Sequence, residues 1–403
     1  MADEKKMDWA STAQLILSAV GALGLLVLAL LGGLVVSLEG FLGPPVPAPG
    51  QGSSGALFFT GMALAGFLLL PSAIAAAGKL FDFQVSWLQF GAGLRWLILF
   101  VPPLLGLGEL TRGSELGSRT LLPLIHVLVN GMIVFWMIQL VKGGLREPSA
   151  QRFWGVFGGG LFLSPLLALV VEFLLLAAMV GLWYLYLLGS PDLLGEIQAL
   201  VEGMRETPLS SQVLEEVSQK VLFRPGVIGS LFLYIAVLVP VVEEVLKPAA
   251  VYLLLGKDLD PGMGFLLGSI SGAGYALFEN LALAAAGEAW LGVIVSRFGT
   301  TAVHILTTGL VGWGVAQSRA EGRPRPWASA LGAAVLLHGV WNGINVLLAL
   351  ETLPGAGEAL PEFLGPAAAA APLGLIVLAL GSLGGIILAN LRFKRAIMGG
   401  VEN

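Results

Sequence analysis

Long apolar runs separated by short polar breaks dominate this chain, and the runs are too long for the core of a soluble domain. About 20 apolar residues cross a ~30 Å hydrocarbon core. Ten stretches qualify: 12–36, 56–78, 92–110, 120–142, 155–188, 226–255, 262–287, 290–317, 327–350 and 366–391. The pattern predicts an all-α fold, a polytopic helical membrane protein with about ten transmembrane helices. The fifth run is long enough to tilt, or to begin as an interfacial helix before Pro165. Residues 37–55 are rich in proline and glycine and read as an exposed loop. Residues 189–225 form a more polar insert. There Ser190-Pro191 has the form of an N-cap followed by proline at the first helical position. Leu193, Leu194, Ile197, Leu200, Val201 and Met204 then make one apolar face, and Val213, Leu214, Val217 and Val221 a second. Two helices lying on the outer leaflet fit this pattern, and so does a lid or docking element ahead of the next span.

Composition agrees. Of 403 residues 56% are hydrophobic and 12% charged, with a mean hydropathy of +0.88, against about 25% charged in soluble chains. A net charge of −5 with scattered basic residues argues against a nucleic-acid partner. The absence of cysteine excludes disulfides, thiolate metal sites and a cysteine nucleophile. The amino end reads as an uncleaved signal anchor. With that end in the cytoplasm, 13 Lys and Arg fall on inside segments, among them Lys5, Lys6, Lys79, Lys142 and Lys257. Five fall outside: Arg112, Arg119, Arg205, Lys220 and Arg224. Both termini are therefore expected to be cytoplasmic, in a multi-pass protein of the cell membrane. The organisation expected is an amino-terminal membrane region of about five spans (1–188), an external amphipathic insert (189–225), a four-helix core (226–350), and a last span with a cytoplasmic tail (351–403).

Ionisable residues inside the apolar runs carry the chemistry. Glu243, Glu244 and Lys247 lie in VPVVEEVLKPAAVY, Glu279 in GYALFENLAL, His304 in TAVHILTTG, and His338 and Asn342 in LLHGVWNGIN. A charge at the middle of a span costs roughly 2.5–3.5 kcal/mol on insertion scales, so such residues mark functional sites by default. Glu243 and Lys247 are four apart, on one helix face, so the lysine can offset the carboxylate. Adjacent glutamates do not share a face, so one of them needs a second partner. Pro248 has no N–H, which predicts a kink and a free Glu244 carbonyl. Glu279 has no basic residue on its own helix and needs one across an interface. Arg297 lies two turns from His304 and can snorkel or pair with a carboxylate. His338 and Asn342, four apart, can offer an imidazole and an amide to one atom. His126 and Asn130 repeat that spacing without acidic companions and read as interhelical hydrogen bonding. Glu172 and Arg95 read as paired structurally or facing a cavity.

Peptide hydrolysis needs an activated water, a polarised carbonyl and an acid for the leaving amine, and this set supplies all three. A glutamate with a histidine supplies the first and the last, and Glu244 is expected to be a supporting carboxylate held by Lys247. Glu279 and His304 complete the water or metal site, and His338 and Asn342 polarise the carbonyl. Glu279, His304 and His338 are the candidate metal ligands. A proton- or cation-coupled transporter also places acids and histidines at mid-membrane, but no internal repeat is evident. A proteolytically silent scaffold is the third reading.

EEVLKP, GYALFENL, Arg297 seven residues before His304, and LHGVWN, in that order on successive spans, resemble the PrsW family of intramembrane proteases. That family is a relative of the CAAX prenyl endopeptidases within the ABI/CPBP group. The resemblance covers roughly 226–350. CAAX endopeptidases present a histidine in the second motif, and Glu279 sides with PrsW. The resemblance implies that Glu243 activates water, that His304 answers the third motif, and that His338 and Asn342 are ligands or oxyanion donors. It also implies either one divalent metal, zinc first, or a metal-free glutamic mechanism. A membrane-anchored protein substrate, such as an anti-sigma factor, is the implied partner within the lipid bilayer. It does not fix the oligomeric state.

Overall fold

Helix follows apolar run throughout the computed structural model, which describes residues 8–42, 51–83, 92–143, 145–206, 215–253, 259–283, 289–356, 361 and 364–399. Lys5, Lys6, Lys257, Val213, Leu214 and residues 43–50 of the expected 37–55 loop lie outside these residues, and the loop is shorter than expected because 37–42 and 51–55 belong to helices. Among the described residues the fold is all-α, with no strand. The helices are α1 (Trp9–Leu42), α2 (Gln51–Phe81), α3 (Val101–Arg112), α4 (Glu115–Lys142) and α5 (Ala150–Leu188). They continue with α6 (Pro191–Glu206), α7 (Pro225–Leu253), α8 (Pro261–Ala282), α9 (Trp290–Glu321), α10 (Arg325–Glu351) and α11 (Gly365–Gly399).

Eight of these are long and apolar enough to cross a membrane: α1, α2, α4, α5, α7, α9, α10 and α11. The other two expected spans differ for physical reasons. The 92–110 run is split between a 3-10 segment, Ala92–Phe100, and the 12-residue α3 with Pro at its start. Helix α8 has 22 residues, but its glycines and serines keep it less apolar. One helix start falls where expected. Helix α6 starts at Pro191 after Ser190. Asp260 accepts a hydrogen bond from the Met263 N–H ahead of α8. Gly322, with φ +67°, ends α9 in the left-handed conformation a side chain would resist.

The chain divides into two compact units. The first comprises residues 1–166, 244–334 and 379–403, the second 167–243 and 335–378.

In the first unit α8 is the central helix, and small residues explain why. Gly264, Gly268 and Gly272 repeat every four residues on the face towards α9, where an added Cβ would run into the backbone of Gly312, Thr308 and His304 respectively. Gly274 meets the Phe157 carbonyl of α5 in the same way, and Gly160 of α5 meets Ser271. This four-residue spacing lets membrane helices approach backbone to backbone. α8 is buried because it can be touched from two sides, and it fixes the height of His304 on α9. The α5 partner is wound as a π-helix over Gly159–Leu163.

In the second unit Phe223, Ile228, Val346, Leu350 and Ala356 form a core from the start of α7 and the end of α10. The π-helical stretch Phe232–Leu238 lies within α7. Gly339 of α10 lies against the Ala236 carbonyl of that stretch.

Candidate active site

The boundary between the units falls at the peptide bond joining Glu243 to Glu244, so the EE pair contributes one carboxylate to each.

In the first unit α7 breaks at Lys247-Pro248, between Val239–Leu246 and Ala249–Leu253. The missing Pro248 N–H accounts for the break. The Lys247 carbonyl accepts hydrogen bonds from Ser164 Oγ at 3.0 Å and Ser271 Oγ at 2.5 Å. Helices α5 and α8 thus pin the interruption with hydroxyls. The Lys247 side chain is fully buried, as is Glu244. Its ammonium pairs with Glu244 Oε1 at 2.8 Å, a spacing of three residues. The same ammonium lies 4.8 Å from the centre of the Tyr275 ring, a cation–π contact that strengthens without water. Thr307 Oγ1 donates to the same Glu244 oxygen at 3.1 Å. This is how two buried charges are tolerated: each is neutralised by the other and further held by neutral partners.

Lys247 Nζ also reaches His304 Nδ1 at 2.6 Å. An ammonium can only donate, so Nδ1 accepts and the ring proton resides on Nε2. Nε2 then donates to Glu279 Oε2 at 3.0 Å. The same Glu279 oxygen takes Arg297 Nη2 at 2.5 Å, and Arg297 Nε donates to Asn280 Oδ1 at 2.5 Å. Asn280 Nδ2 donates to Thr301 Oγ1 at 3.0 Å. The basic partners required by Glu279 thus come from α9, and Arg297 pairs with a carboxylate. The result is a continuous chain of polar contacts: Glu244, Lys247, His304, Glu279, Arg297, Asn280. His126 Nε2 contacts the Asn280 carbonyl at 3.1 Å, and Asn130 Nδ2 donates to the His126 carbonyl at 2.9 Å. His126 thus holds α4 to α8, as the sequence suggests, whereas Asn130 bonds within α4.

In the second unit Glu243 and His338 are both buried, with Glu243 Oε2 3.8 Å from His338 Nε2. This is too long for a hydrogen bond and short enough for one small third atom to engage both. Asn342, one turn beyond His338, donates through Nδ2 to the Ile235 carbonyl at 3.0 Å. In a π-helical turn that carbonyl would be served by the N–H five residues on, which is Pro240 and has none. Asn342 replaces the missing donor.

This gives Asn342 a structural task the H-x-x-x-N spacing does not reveal. Asn342→Ala is expected to destabilise the protein by about 1–3 kcal/mol, the cost of an unserved buried carbonyl. Thermal unfolding in detergent measures this. Unchanged stability with lost cleavage would return Asn342 to carbonyl polarisation.

Tyr275, Thr307, Thr301, Ser164 and Ser271 were not singled out from the sequence. They are ordinary residues of apolar helices, and only their neighbours make them part of the site. Glu172 and Arg95 stand apart from it. The Glu172 carbonyl accepts from Tyr234 Oη at 2.9 Å, and Arg95 lies over its neighbour Trp96.

Residues 197–361 match the family model of the PrsW family intramembrane metalloproteases. The matched segment contains Glu243, Glu244, Lys247, Glu279, His304, His338 and Asn342. No curated protein and no solved structure matches the chain. The match supports an intramembrane protease, and nothing found supports the transporter reading.

Proposed function

We propose that this chain, whose residues 197–361 form a PrsW-type intramembrane protease domain, hydrolyses peptide bonds of membrane-anchored proteins within or beside the bilayer of the cell membrane. The observation that carries the reading is the buried Glu243–His338 pair, 3.8 Å apart, on two helices each able to span a membrane. At 3.8 Å the two groups are close enough for one water or metal ion to contact both. Glu243 takes the proton of the attacking water and passes it on to the departing amine, while His338 orients that water.

The family's description as metalloproteases calls for a divalent metal ion, and the donor set fits one. Carboxylate oxygen and imidazole nitrogen are the ligands of catalytic zinc. We assign Glu243 and His338, both of the second unit, as donors to it. The sequence pointed to Glu279 and His304 beside His338, but Glu279 Oε2 already accepts from Arg297 and His304, and the two ring nitrogens of His304 are taken up by Lys247 and Glu279. When bound, zinc lowers the pKa of its water towards ~7 and polarises the substrate carbonyl. A carboxylate has two oxygens, so ligation through one leaves the other to take the proton. Lys247, Glu244 and Thr307 hold the break after Glu243 in place, and the Lys247 contact orients the His304 ring. A membrane-anchored regulator of the anti-sigma-factor type is the substrate class to test first.

Elemental analysis of detergent-purified protein tests the assignment, with Glu243→Ala and His338→Ala prepared in parallel. About one zinc per chain, lost in both variants, is expected. Zinc retained by both would remove these two residues from the donor set. A metal-free wild type that still cleaves would replace the metal mechanism with direct action of Glu243 and His338 on water.

A further inference from the structure

Away from the polar cluster, the first unit carries a groove of about 560 Å³ between α1 and α2, closed at one end by α4. Its walls are apolar, with Leu26, Leu30, Phe59 and Phe67 among them, and Arg119 and Thr120 stand at its α4 end. The position along the helices is informative. On α1 the groove runs from Leu26 to Ser37, and on the antiparallel α2 from Phe67 to Ala56. At 1.5 Å per residue each path is about 16 Å long, roughly half of a ~30 Å hydrocarbon core. The spans containing these paths are Trp9–Leu38 and Ser54–Phe81. The groove therefore starts at the end of both spans and stops near their midpoints, which is the depth of a single leaflet.

Arg119 lies in the second turn of α4, whose span begins at Glu115, so the cation sits at the same end as Ser37 and Ala56. Its side chain is only 24% exposed, and its ion pair with Glu115 is 3.2 Å long to a carboxylate that is 72% exposed. That partner offers little neutralisation. Ser37 and Thr120 turn their hydroxyls back to their own helices, donating to the carbonyls of Gly33 and Leu116. The charged feature at the groove's end is thus a guanidinium, a group suited to phosphate.

We propose that this groove is a binding site for one membrane phospholipid, with an acyl chain lying between α1 and α2 and the phosphate on Arg119. Apolar walls of one-leaflet length select the chain, and the cation at head-group level selects the phosphate. The site is separate from the proteolytic residues and goes beyond the function proposed for them.

The test is native mass spectrometry of the delipidated full chain titrated with dioleoyl phosphatidylglycerol or with dioleoylglycerol, which has the same chains and no phosphate. One phosphatidylglycerol is expected to remain bound per chain, at least tenfold more tightly than dioleoylglycerol. Arg119→Gln should abolish that preference. Gly33 lines the groove, and a Cβ there meets nothing within 4 Å. Gly33→Phe should therefore fill the groove without a clash and remove binding of both lipids. Inorganic phosphate at the same concentration should not compete. Undiminished binding to Gly33→Phe would place the lipid elsewhere on the surface. A preference for phosphatidylglycerol that survives Arg119→Gln would overturn the head-group assignment. Displacement by inorganic phosphate would show an anion site rather than a lipid site. Each variant decides independently, so failure of one to fold leaves the other to settle the matter.

Discussion

Glu243→Gln is expected to lower the rate of substrate cleavage by about 10²–10⁴-fold, the range contributed by a positioned proton acceptor. Glutamine keeps the shape and burial of the side chain and loses only its basicity. Helix α7 and its unfolding temperature should therefore stay as they are. The measurement is cleavage of a membrane-anchored reporter by protein reconstituted in liposomes, with thermal unfolding followed on the same preparations. His338→Gln should act in the same direction, since the two side chains are 3.8 Å apart in one unit and would serve one water. Cleavage by Glu243→Gln at the wild-type rate would take this carboxylate out of the reaction.

The second large effect is on stability. Lys247→Met leaves the Glu244 carboxylate buried beside Thr307 without its cation. Removing one partner of a buried ion pair costs about 3–5 kcal/mol, and a chain with a stability of ~5–15 kcal/mol is then close to unfolding. The double variant Glu244→Gln/Lys247→Met should recover most of this loss, because neither charge then remains. Recovery of folding without recovery of cleavage would show that the pair positions the site and is not needed merely to hold the helices. A single Lys247→Met variant as stable as the wild type would contradict the ion pair. The arithmetic favours the buried pair as a device for position: similar stability can be reached with apolar residues, whereas the link from Glu244 through Lys247 to His304 cannot.

These effects show where sequence reasoning reaches its limit. Hydrophobic runs located the helices because only a helix satisfies its own backbone inside a bilayer. Eight of the ten expected runs became long, apolar helices. The 92–110 run did not, since Pro102 and Pro103 start a new helix behind a 3-10 segment. The residues of the polar cluster were legible for an energetic reason, since a charge in an apolar run must have a purpose. Their pairing was less legible. Spacing put Lys247 on the face of Glu243 at four residues while the expected roles gave it to Glu244, and the structure makes the Glu244 pair at three. Lys247 lies in the turn ahead of Pro248, where a helical wheel no longer holds.

The sequence by itself determined that this is a helical membrane protein and which rare polar residues matter. It also determined the family the motif order resembles, because burial cost and motif order are properties of the chain. The tertiary structure decided which partner each charge has. It put Glu279 under Arg297 and His304 of α9, bound Asn342 to the carbonyl that Pro240 leaves open, and used Gly264, Gly268 and Gly272 to bring α8 against the backbone of α9. Those choices depend on distances between helices far apart in sequence. They are set by side-chain volume at the contacts, which a linear pattern of apolar and polar positions does not contain.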